Sequence, residues 1–142
     1  MIIHQLSVFL ENKSGRLAKA LNVLGNENIN IIAMSVADTS DFGILRMIVS
    51  DPDKSEEILK ENSFSAYHSD VIAISVESNA KNYAKVLQVI SDLNISVEYT
   101  YAFYSAKGAV IILQCNDNDA AVAALKENDI VLLTADEVYN IV

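Results

Sequence analysis

The segment Asn12-Lys13-Ser14-Gly15-Arg16-Leu17 gathers more groups able to do chemistry than any other stretch of this chain. Two cations, a side-chain amide and a hydroxyl surround a glycine, at the point where an alternating apolar stretch gives way to a helical one. Glycine there lets backbone approach a ligand with no Cβ in the way. The free amides of a helix's first turn attract a carboxylate or a phosphate. The combination describes an anion-accepting corner. The same residues also suit a purely structural role, in which Asn12 or Ser14 caps the helix and Gly15 permits the turn.

Nothing else in the sequence assembles a catalytic set. His4 and His68 fall on different strands, and His68 with Asp70 makes a pair of ligands rather than a metal site. The lone Cys115 lies in an apolar run, forms no C-x-x-C, and reads as a small buried hydrophobe. There is no glycine-rich phosphate loop and no G-x-S-x-G elbow. The chain is expected to be non-enzymatic, with no cofactor and no metal.

The 142 residues carry 19 acidic against 10 basic side chains, a formal charge of −9 at pH 7. A nucleic-acid backbone would repel such a surface. No apolar run approaches a membrane span, and the N-terminus alternates instead of following a basic stretch with an apolar one. We expect a cytoplasmic protein with no nucleic-acid or membrane partner.

The elements that must hold the corner are written twice. Leu6, Val8 and Leu10 recur as Ile72, Ile74 and Val76, and Ala18, Leu21, Val23, Asn28 and Ile29 recur as Ala84, Leu87, Val89, Asn94 and Ile95, all 66 residues on. Lys60-Glu61-Asn62 returns as Lys126-Glu127-Asn128. Such repetition decides architecture. Gly43 and Gly108 stand 65 apart, which places a one-residue deletion in the turn before Gly108.

In the first copy, period-2 alternation predicts a strand over 2–10, and a leucine stripe predicts a helix over 15–27, stopped by Gly25, Asn26 and Asn28. Strands over 29–38 and 42–49 form a hairpin about Thr39-Ser40-Asp41. A helix opens at Asp51-Pro52-Asp53, with Asp53 and Glu56 as a capping box, and a brief strand covers 64–68. The second copy runs through strand 71–77, helix 80–92, strands 95–104 and 107–115, helix 118–127 and strand 130–134. Each copy is β-α-β-β-α-β. The expected fold is therefore α+β: two tandem ferredoxin-like units with antiparallel sheets, domains 1–69 and 70–142, packed together. Sheets joined at their edges and sheets packed by their open faces both remain possible.

Asn12 to Leu17, the leucine-striped helix and then Asn28-Ile29-Asn30-Ile31 resemble the ACT family of regulatory domains, and the likeness covers nearly the whole chain as two copies. The resemblance implies that a small molecule, usually an amino acid, binds between paired units at the loop after the first strand. Asn12, Gly15 and Leu17 match the family's loop asparagine, glycine and helix-opening apolar residue. Asn30 matches a position that in some members reaches across the interface. Leu10 stands where serine-sensing members carry a histidine, which argues against serine.

The second copy lacks the glycine and has Ser78 and Ser96 for the two asparagines. It offers instead Tyr99, Tyr101 and Phe103 on one face of a strand where the first copy has Ala33, Ser35 and Ala37. That row suits a core, a dimer interface or a binding wall. The expected ligand set is Asn12, Lys13, Ser14, Gly15, Arg16, Leu17, Asn30, Tyr99 and Tyr101, giving one site per chain between loop and aromatic strand. The implied protein is a sensor of a free amino acid, dimeric and acting on a partner enzyme. The alternative is a ligand-independent interaction module or the regulatory subunit of an amino-acid biosynthetic enzyme.

Overall fold

Alternation sets the first strand. In the computed structural model, which describes residues 1–11, 13–38 and 41–141, Ile3–Glu11 forms β1 and turns Leu6, Val8 and Leu10 into a core. The helix α1 (Arg16–Gly25) lays Ala20 and Leu24 on that core, with Leu17 and Leu21 packed at its margin. Of the expected stop residues, Asn26 is the C-cap. Gly25 stays helical, and the left-handed residue that turns the chain is Asn28, at φ 58, a conformation asparagine tolerates through its short polar side chain.

Then come β2 (Ile31–Asp38) and β3 (Phe42–Val49), whose connecting residues Thr39 and Ser40 lie outside the described residues. The next helix, α2 (Pro52–Glu61), is capped by Asp51, whose carboxylate accepts from the Lys54 amide at 3.1 Å. The expected box of Asp53 with Glu56 does not form, because Pro52 fixes the first helical position and leaves Asp51 as the cap. Ile58 and Leu59 complete the core. Each fully buried aliphatic side chain contributes about 1.5–3 kcal/mol.

The second copy repeats this with α3 (Ala80–Ser91), β5 (Val97–Ser105), β6 (Gly108–Cys115) and α4 (Asn118–Glu127). Ile72, Ile74, Val86, Ile90, Leu113 and Leu125 lie in its core. Cys115 is buried and free there, and burial pushes its thiol pKa up. Two expectations are corrected. The last strand of the first copy and the first strand of the second are a single strand, β4 (Ser65–Val76), with no break at Ser69-Asp70. No residue is deleted before Gly108 either: Leu6 pairs with Met47 and Ile72 with Leu113, Asp38 with Gly43 and Tyr104 with Ala109, so the spacing of 66 is unbroken. Gly43 therefore corresponds to Ala109, and Gly108 to Phe42.

The chain divides into two compact units, His4–Ser69 with the residues from Tyr139 on, and Asp70–Val138 with Met1–Ile3. In the first, the strand order is β2-β3-β1-β4. In the second, β5, β6 and β4 follow one another, and β4 also pairs with the two-residue β7 (Val131–Leu132). Each is the order of an antiparallel ferredoxin-like sheet, with both helices packed on one face. A short α5 (Ala135–Tyr139) follows the expected strand of 130–134, over residues for which the sequence suggested no element. Among the described residues no helix is long and apolar enough to cross a membrane.

Candidate functional site

The corner forms where β1 ends. The Lys13 amide donates to the Glu11 carbonyl at 2.7 Å, and the Arg16 amide to the Lys13 carbonyl at 3.3 Å, which folds the chain sharply into α1. Gly15, at the N-cap, takes φ 86 and ψ −7, the left-handed region. A Cβ there would meet nothing within 4 Å, so the dihedral angle, and not crowding, requires glycine. Space is open directly above it.

A glycine cap brings no side chain to the first-turn amides. Those of Leu17 and Ala18 have no hydrogen-bond partner among the described residues. The other long helices differ: Asp51, Asn79 and Asp117 accept from the Lys54, Asn82 and Ala120 amides at 3.1, 2.8 and 3.0 Å. Among the described residues, no side chain answers the positive end of α1, unlike those of the other three.

Charge gathers around that end. Lys13 Nζ lies 3.0 Å from Glu11 Oε2. The hydrogen bond from Lys13, then its charge and that of Arg16, hold the Glu11 carboxyl below the usual carboxylate range. The Arg16 guanidinium sits 4.3 Å from the centre of the Phe64 ring, a cation–π contact that fixes it at the corner. Its Nε is buried without a hydrogen-bond partner among the described residues. A buried donor left unpaired is costly.

These groups line a pocket of about 140 Å³ with Leu10, Leu17, Val36, Asp38 and Gly43. That is well under the roughly 300 Å³ at which drug-sized pockets begin. Its floor follows from the sheet register. Leu10 pairs with Gly43 and Gly43 with Asp38, so one row crosses β1, β3 and β2, and the missing side chain at Gly43 leaves the gap.

Of the expected ligand set, Lys13, Arg16 and the half-buried Leu17 line this pocket, while the exposed Ser14 and Gly15 belong to the same loop outside its lining. Asn12 lies outside the described residues. Asn30 stands at the far end of β2 from Asp38, eight residues or about 26 Å along the strand, where its amide donates to the Ser50 hydroxyl at 3.0 Å and its carbonyl accepts from the Ser50 amide at 2.9 Å. Tyr99 and Tyr101 belong to the other unit, half-buried on β5. Tyr101 pairs with Ile112, so the row faces away from the helix-covered side that Ile111 and Leu113 occupy. Asp38, Val36 and Gly43 were not among the expected site residues. The register of the hairpin was the signal that could have found them.

The same corner of the second copy is bridged by its own side chains and still holds a cavity of about 320 Å³, lined by Val76, Glu77, Ser78, Tyr104 and Ala109 among others. Asn79 caps α3, and the Ser78 hydroxyl bonds the Tyr104 hydroxyl and lies 3.4 Å from that of Tyr83. Tyr104 occupies the position of Asp38, and Ala109 that of Gly43.

His68 is engaged within the first unit, its Nε2 3.1 Å from Glu56 Oε2 and 3.7 Å from Asp53 Oδ1, its ring stacked on His4. Among the described residues no group of three or more His, Cys, Asp or Glu side chains is placed to hold a metal ion.

Two ferredoxin-like units follow one another along the chain, each with a cavity at the corner after its first strand. The model of the ACT domain pair matches residues 1–142, and the chain belongs to that family. It is similar to protein BT0572 from Bacteroides thetaiotaomicron, with 43% identity over 99% of this chain and 97% of that one, at a TM-score of 0.93. The regulatory subunit of aspartate kinase from Thermus thermophilus, in its ligand-free form, shares the fold at 15% identity, covering 87% of this chain and 91% of that one, with a TM-score of 0.63. The regulatory subunit from Thermus flavus does so at 16%, covering 89% and 90%, with a TM-score of 0.61. No curated protein matches the chain.

Proposed function

We propose that this protein is a non-enzymatic regulatory sensor that binds a small ligand, a free amino acid, at the corner of Lys13 to Leu17. The observation that carries this reading is the open end of α1, uncapped at Gly15 while the other long helices are capped. The ligand's carboxylate meets the amides of Leu17 and Ala18 and the guanidinium of Arg16, as an anion does at any unanswered helix start. Lys13 and Ser14 border the entrance, and Asn12 belongs to the same loop.

Binding acts as regulation when the ligand prefers one arrangement of the protein over another, and it shifts the population by no more than that difference. The output passes to a partner enzyme or to self-assembly as a dimer, in the cytoplasm. The likeness to regulatory subunits of aspartate kinase supports the choice of an enzyme as partner.

Thermal unfolding with each free amino acid tests the reading. One or a few should stabilise the protein, by about 2.7 kcal/mol at a hundred times the dissociation constant. No stabilisation by any of them would favour a ligand-independent interaction module.

A further inference from the structure

No further inference is drawn: the strongest candidate, the cavity of about 180 Å³ between the start of α3 and the turn after α4, where Asn82 and Ile130 stand in place of Arg16 and Phe64, is bordered by the exposed carboxylates of Glu77 and Asp129, and nothing in the structure shows what fills it.

Discussion

Two Gly→Ala substitutions in and beside α1 should act in opposite directions. Gly15 holds φ 86 with nothing within 4 Å of an added Cβ, so alanine there meets no clash and costs only its dihedral strain, about 1–2 kcal/mol. Gly25 closes the same helix in helical geometry, and its Cβ also meets nothing, so alanine should stabilise by about 0.5–1 kcal/mol. At roughly 4 °C per kcal/mol for a chain of this length, Gly15→Ala lowers Tm by about 4–8 °C and Gly25→Ala raises it by about 2–4 °C. Gly15→Asn serves as an internal control, since asparagine tolerates the left-handed region and should lose less than alanine. Circular dichroism melts at one protein concentration read all three. A Gly15→Ala protein at or above the wild-type Tm, or two shifts of the same sign, would refute the account of how the corner is built.

Leu59→Ala, at a fully buried site, should cost about 2–5 kcal/mol in urea unfolding, whereas Leu87→Ala, 40% exposed, should cost far less. Removing the α3 cap with Asn79→Ala should cost about 1 kcal/mol by the same assay. Glu11 should titrate below the ordinary carboxylate range by carbon-detected NMR, and Lys13→Ala should move it back up. Because the folded pKa is the depressed one, its contribution is present above the unfolded pKa and lost as pH falls through the folded one. Salt should weaken it, since both partners are exposed.

The repeat carried most of the fold. Alternation at Leu6, Val8 and Leu10 and the leucine stripe of α1 state their periods plainly, and α4 spans the expected residues. What the sequence concealed follows from tertiary pairing. The chain divides into its two units between Ser69 and Asp70, yet β4 is one strand through that point. The 65-residue interval between Gly43 and Gly108 suggested a deletion, but the ladders show that the two glycines do unrelated work. The short α5 announced itself as Thr134-x-x-Glu137: the Thr134 hydroxyl accepts from the Glu137 amide at 3.2 Å, and the Glu137 carboxylate from the Thr134 amide at 3.1 Å. The alternating residues before it masked that signal.

At the site, Lys13 to Leu17 were legible because charge and glycine cluster in sequence. Asp38 was not, because only the row through Gly43 brings it beside Leu10. The difference between the copies was legible in outline: a glycine on one side and none on the other. Its physical content lies in the caps, since Gly15 brings no side chain to α1 whereas Asn79 accepts from the Asn82 amide at the start of α3.

The most direct test of the central claim is amide NMR of the labelled full chain, titrated with the amino acid that gives the largest thermal shift. The account predicts saturable movement of the Gly15, Arg16, Leu17 and Ala18 amides, with those of Ser78 to Lys81 unmoved because Asn79 already caps α3. Saturable shifts at Ser78 to Lys81 with Gly15 to Ala18 still would contradict it.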